Sequence, residues 1–558
     1  MRRGLAVAGA VALATAGVLI WAALMRPGAS VPAQPSWETA GPVPLGQADY
    51  PVPDGAFFIA PTGDDASPGD IEEPWRTLAH AVETAPEGAT IVLREGVYHE
   101  KVEIFRKRLA IQNRPGEVVW FDGSEPVDGW VKDGSRWRRD DWAVQFDNTD
   151  FTAGGGEDWH MVDPAFPMAN WPDQVFVEDR QLAQVRTADE VGPGAFFVDY
   201  QTRQLFIGDD PVGREVRATT LDEALYFEGA HGSSLKGVGV RRYATSLARI
   251  AAVKAFADDM TIENNVFAET SVTGLSLKGA RITVRNNLFA GNGQVGLGGH
   301  KSDDATIVGN ISRGNNVERF MMTPVSGGLK ITESRRMAVV GNLMEDNRGP
   351  GIWLDESIVG AVVARNMARN NAHHGIHFEI SADALIAGNV VTGNGSNGIY
   401  VNESSDVRIW NNTVADNKGR QIYAIDGARQ QLVPGVSWNV SGVEVRNNVL
   451  SAAGAEPLVA VRDLTRRKSA GDMADLDHNV YYRRGNAPLA DWADWRSSDA
   501  TVRTLADLRR VTGQEMNGYE SPEYGDSPDG APLPADVARL FGVEAGAVVK
   551  SGAPEGEL

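Results

Sequence analysis

The chain contains no cysteine. That excludes disulfides, thiolate metal sites, iron–sulfur clusters and cysteine nucleophiles together. Basic residues are scarce beside acidic ones: 53 Lys plus Arg against 74 Asp plus Glu, a net charge of −21 over 558 residues. A chain so acidic repels a phosphate backbone, which argues against nucleic-acid binding. There is no GxSxG motif, no phosphate loop and no dinucleotide fingerprint in a strand–turn–helix context. The leucine consensus of leucine-rich repeats is missing as well. Apolar residues, at 42%, are plentiful enough for a large core, and 61 glycines imply many turns. The length exceeds one ordinary compact domain and suits a fold that grows by repetition.

Arg2 and Arg3 precede an apolar run from Leu5 to Met25, closed by Arg26. That run is long enough to cross a bilayer, and the flanking arginines favour an inside N-terminus. Residues 1–26 are read as a signal anchor or a cleaved signal peptide, and both place the body outside the cytoplasm, membrane-anchored or secreted. Residues 27–54, rich in Pro, Gly and Ala, read as a linker. Residues 55–124 read as an N-terminal cap and the first coils, with Leu78, Val82 and Ala85 at helical spacing over the opening coil. Hairpin-like text over 125–222 reads as an inserted small β domain, sandwich-like. The main solenoid spans 223–483, and 484–558 caps its far end.

The solenoid is read from a recurring apolar–Asn–apolar signature at Asn265, Asn287, Asn310, Asn342, Asn366, Asn389, Asn412, Asn448 and Asn479. A period near 23 residues, with short β-branched runs in each turn, is one coil of a parallel β-helix. Asn suits the corners because it tolerates left-handed backbone and its amide can ladder between coils. Two longer steps, after Asn310 and after Asn412, mark insertions that leave as loops and often wall a binding face.

Six coils share a Gly–apolar–x–apolar–x strand: GLSLK, GLGGH, GLKIT, GIWLD, GIHFE and GIYVN. Side chains alternate along a strand, so the third and fifth positions point out of the coil. The third-position column includes Lys330, Trp353, His377 and Tyr400. The fifth includes His300, Asp355, Glu379 and Asn402. Asp355 and Glu379 then stack one coil apart, where two ionised carboxylates repel and one pKa should rise. Two carboxylates among aromatics, a His and a Lys suit a sugar-binding face. Paired carboxylates at the spacing of adjacent strands suit glycoside hydrolysis with retention. His373 and His374 are read as solvated or hydrogen-bonded rather than as part of a metal site.

GIWLD, followed about 24 residues later by GIHFEIS, resembles the paired motifs of the β-helical retaining β-xylosidases, within the pectin-lyase-like right-handed parallel β-helices. The resemblance implies Asp355 as nucleophile and Glu379 as general acid/base, with no cofactor. Lys330, Trp353, His377, Tyr400, Asn402 and His300 are the candidate substrate contacts. The expected partner is a plant or microbial poly- or oligosaccharide, taken by a monomer. Two other readings stay open. A polyuronate lyase or C5-epimerase would use Lys330 as base, with Asp355, Glu379 and Asp303 or Asp304 on Ca²⁺. A non-catalytic envelope protein would bind glycan on the same face.

Overall fold

The computed structural model describes residues 36–150, 160–427, 429, 435–493, 500–521 and 527–553. The apolar run from Leu5 to Met25 lies outside the described residues. Among the described residues, no helix is long and apolar enough to cross a membrane.

Three sheets of thirteen short strands run the length of the molecule. The first begins at Phe57–Ile59, the second at Gly96–Tyr98 and the third, called here the site sheet, at Val102–Phe105. Each coil contributes one strand to each sheet, and neighbouring coils pair in parallel, as in Ile262 with Val284 and Ile307. Strands this short succeed because their inward residues stack into one continuous core. Phe267 and Phe289, on adjacent coils, have ring centroids 5.2 Å apart, nearly parallel.

The nine asparagines form an unbroken ladder inside one corner, all essentially inaccessible to solvent. Each side-chain amide donates to the carbonyl oxygen of the next, at 2.9–3.0 Å from Asn265 to Asn479. One detail differs from expectation. The left-handed backbone belongs to the residue before each ladder asparagine, for example Asn264, Asn286, Gly309, Gly341 and Arg365. The ladder residue itself keeps φ negative, because its side chain must turn inward to reach the next coil. Asn389→Ala would remove the acceptor of the buried Asn366 backbone and side-chain amides and the side-chain donor to Val363 O, leaving Asn412 Oδ1 only the Asn389 backbone amide. A loss of about 3 kcal/mol in denaturant unfolding is expected, and a loss below about 1 kcal/mol would contradict it.

Both ends of the coil are closed. At the start, the helix Leu78–Thr84 buries Leu78 and Ala81 on the first coil, while Trp75 packs on Phe57 at 4.8 Å. Thr77 caps this helix, and the Glu100 carboxylate accepts from the Leu78 and Ala79 amides. At the far end, the helix Leu505–Thr512 lays Leu505 and Leu508 on the core. Ala500–Val502 turns antiparallel against Ala490–Trp492, which stops parallel growth. The Asn ladder ends on Glu515, which accepts from Asn479 and Tyr481, both at 2.6 Å. Burial pushes the Glu515 carboxyl up to about 7.

Between Asp122 and Leu225 the chain leaves the coil and builds two small sheets of four and five strands. Val127, Val175, Phe196, Leu205 and Ile207 form their shared apolar core. This unit leans on the coils through Arg242–Asp179 at 2.9 Å and Gln181–Glu318 at 2.8 Å. Met161 and Ala169 pack with Val272 and Phe320.

Candidate active site on the third sheet

The site sits on the outer face of the site sheet, on the strands Gly327–Thr332, Ile352–Asp355, Ile376–Glu379 and Ile399–Asn402. Ile352, Leu354, Ile376 and Phe378 point into the coil and are at most 1% exposed. The alternation therefore sends Trp353, Asp355, His377 and Glu379 outward. Register aligns Lys330 with Trp353, Trp353 with His377, and His377 with Tyr400. It aligns Thr332 with Asp355 and Glu379 with Asn402.

Outward does not mean solvated. Asp355 and Glu379 are only 9% and 7% exposed, because segments from the two long steps fold over them. From the first, the Pro324 carbonyl accepts from Lys330 at 2.5 Å. From the second comes Arg429, whose Nη1 reaches Glu379 Oε1 at 2.7 Å. Trp438 and Val436, also from the second, pack on Ile380 beside Glu379.

Each carboxylate has its own cation. Lys330 Nζ lies 2.7 Å from Asp355 Oδ2 and 3.5 Å from the Trp353 ring centroid. Asp355 Oδ1 is buried with no hydrogen-bond partner among the described residues. Burial raises the Asp355 carboxyl above the usual carboxylate range; Lys330 opposes the shift and the Glu379 charge adds to it. Glu379 accepts from Trp353 Nε1 at 2.9 Å, Asn402 Nδ2 at 3.1 Å and Arg429. One carboxylate thus keeps a buried oxygen without a hydrogen bond, while the other is enclosed by donors.

The rings of Trp353, His377, Tyr400 and Tyr423 form a stacked row, with successive centroids 5.0, 4.8 and 5.4 Å apart. His374 joins it, 4.3 Å from Tyr400, and accepts from the Asn397 amide. Burial and the neighbouring positive groups hold His377 neutral, well below the usual histidine range. Its Nε2 lies 3.4 Å from Glu379 Oε2, and neither ring nitrogen makes a hydrogen bond among the described residues.

The structure brings Lys330, Trp353, His377, Tyr400 and Asn402 around the two carboxylates. His300 is not in that group. It aligns with Thr332, two coils from Glu379's neighbour Asp355, and bonds Thr332 Oγ1 at 3.0 Å. Asp303 and Asp304 are engaged elsewhere: Asp303 accepts from the Arg335 amide, and Asp304 pairs with Arg336. Among the described residues, no three His, Cys, Asp or Glu are grouped to hold a metal. Arg429 and Glu403 were not candidates from sequence. Glu403 is 1% exposed and binds the Arg429 guanidinium and backbone. The only local signal was its place directly after Asn402, at a position where Glu333 and Glu356 also stand.

A family model described as the right handed beta helix region matches residues 252–414 and 360–455. A solved complex of XylC with xylose superposes with a TM-score of 0.62 at 16% identity, over 90% of this chain and 94% of that one. The fold is a right-handed parallel β-helix. The chain is also 36% identical over 83 residues to an uncharacterized protein, YwoF, of Bacillus subtilis (strain 168). That match spans 14% of this chain and 16% of the relative. A periplasmic alginate epimerase, AlgG, aligns over 69% of this chain and 80% of that one, at 17% identity and a TM-score of 0.38.

Proposed function

We propose that this β-helix is an extracytoplasmic carbohydrate-active enzyme, a retaining glycoside hydrolase acting on a poly- or oligosaccharide. The observation that carries the reading is the buried carboxylate pair on adjacent coils, each member with its own cation. Adjacent parallel strands lie about 4.8 Å apart. That is nearer the roughly 5–5.5 Å of retaining enzymes than the roughly 6.5–9.5 Å that leaves room for an inverting water. The solved XylC complex contains xylose, which agrees with a sugar ligand.

In this reading Asp355 Oδ1, free of partners, attacks the anomeric carbon. Glu379 gives its proton to the leaving oxygen, and a glycosyl ester forms on Asp355. Glu379 then takes a proton from water, the water attacks the same carbon, and Asp355 leaves. His377 and Tyr400 offer hydrogen bonds and a ring face to the sugar.

The lyase or epimerase reading asks Lys330 to act as a free base, but its ammonium is held by Asp355, Pro324 and the Trp353 ring. A screen of aryl glycosides and polysaccharides, with and without chelator, separates the readings. Sugar release indifferent to chelator supports hydrolysis. An unsaturated, ultraviolet-absorbing product lost on chelation supports a lyase and overturns the proposal. NMR of the first-formed anomer tests retention, and an inverted product refutes the double displacement.

Lys330 tests the electrostatics. The nucleophile must be ionised, and Lys330, ahead of Arg429, is the cation that most opposes the rise of the Asp355 pKa. Lys330→Met is expected to move the acid limb of the kcat/KM profile to higher pH by about 1–3 units. An unmoved acid limb would mean that Asp355 does not titrate in it.

A further inference from the structure

The two outward columns that carry the carboxylate pair continue toward the N-terminal end of the same sheet. Four coils before Asp355, in the fifth-position column, stands Phe256; the intervening residues are Lys278, His300 and Thr332. Four steps of coil spacing place it about 19 Å from Asp355. Around Phe256 the face becomes aromatic again. Tyr226, one coil earlier, meets Phe256 edge to face at 5.6 Å. Phe105, two coils earlier, is 52% exposed although it lies on a strand of the solenoid. Lys254 lies 4.0 Å from the Tyr226 ring centroid and pairs with the buried Glu223. The set repeats the arrangement at the proposed catalytic site, where a lysine stands over an aromatic ring and is paired to a buried carboxylate.

Between Lys254 and Lys330 in the third-position column stand only Ser276 and Gly298. Packing does not force glycine at 298. A Cβ there would meet its nearest atom, Thr273 Cγ2, at 3.6 Å, an ordinary contact. The small residues leave a trough joining the two aromatic clusters. The charges around the rings balance: Lys254, Lys278 and Arg106 lie over Tyr226, Phe256 and Phe105, while Glu223 pairs with Lys254 and Glu103 and Glu228 stand beside the rings in register. A balanced site with one exposed and two half-buried rings suits uncharged pyranoses, whose C–H faces pack on rings and whose hydroxyls bond the polar rim.

We infer that Tyr226, Phe256 and Phe105 form a distal subsite for a neutral sugar residue of the chain that also occupies the carboxylate site. The inference rests on the glycoside-hydrolase reading and names its substrate class: an uncharged oligo- or polysaccharide long enough to span the trough, rather than a disaccharide. Coil spacing is close to the length of one pyranose residue, so a chain laid along the columns presents successive sugars to successive coils.

The test is calorimetric binding of xylohexaose, cellohexaose and hexagalacturonate to the wild-type chain, each beside its own disaccharide. One neutral hexaose is expected to bind at least about tenfold tighter than its dimer. Tyr226→Ala and Phe256→Ala should each erase most of that advantage. Both variants should hydrolyse a small aryl glycoside as the wild type does, which also shows that they are folded. No length advantage for a neutral hexaose, an advantage that survives these variants, or a preference for hexagalacturonate overturns the inference. Aryl-glycoside hydrolysis without length preference would sink the distal subsite and leave the hydrolase reading standing. Length-dependent binding without sugar release would do the reverse.

Discussion

Asp355→Gly is expected to lower aryl-glycoside turnover by about 10⁴-fold or more, the scale of losing a covalent nucleophile. The protein should remain folded, because Asp355 lies outside the coil and the core beneath it is made by Ile352 and Leu354. The space vacated is enclosed, with Lys330 on one side. A small anion should enter it, drawn by the unpaired ammonium. Azide or formate should therefore restore part of the activity and yield a product of inverted configuration, since the anion attacks from the face the carboxylate used. Full loss with no rescue at any anion concentration, in a variant with wild-type thermal unfolding, would argue that Asp355 does something other than attack. Lys330→Met in the same background should abolish rescue, because the cation that draws the anion is gone.

Glu379→Ala should split substrates by leaving group. An alkyl or sugar leaving group needs its oxygen protonated, and its turnover is expected to fall by about 10³-fold. An activated nitrophenyl group needs no proton, so its first step should be nearly unaffected. Its second step, which needs Glu379 as base, should slow, and the glycosyl ester on Asp355 should accumulate as a burst followed by a low steady state. Mass spectrometry of the intact chain would show the adduct directly. Equal losses for both classes of leaving group would remove Glu379 from the acid/base role. Loss of Glu379 also frees Arg429, Trp353 Nε1 and Asn402 Nδ2. Glu379→Gln therefore serves as the control that keeps most of those contacts while removing the titrating proton.

The two kinds of repeat in this chain differed in how openly they could be read. The apolar–Asn–apolar signature is local, and each of its asparagines does stand in the ladder. A second ladder runs through Asn292, Asn315, Asn347, Asn371, Asn394 and Asn417 into Gln421. It has the same period but lies in turn text such as GNG and GNN, where asparagine is expected for other reasons. Only the stacking of coils separates a turn asparagine from a buried one that bonds the next coil. The left-handed positions were misplaced by one residue for the same reason. Side-chain direction, not the residue's tolerance of positive φ, decides which member of the corner forms the ladder.

The sequence by itself determined the coil period, the parallel β architecture and the face on which Asp355 and Glu379 stand. Those follow from a period of two along each strand and a period near 23 between strands, and a one-residue slip would bury the carboxylates inside the coil. Tertiary structure alone decided that this face is enclosed rather than solvated. It also decided that Lys330 is committed to Asp355, and that Glu379 is met by Arg429 from 50 residues away. These contacts depend on where two insertions fold back, and nothing in the local pattern of an insertion states which strand it will cover. The pKa of a carboxylate depends on that cover, because burial and the nearest cation set the cost of its charge.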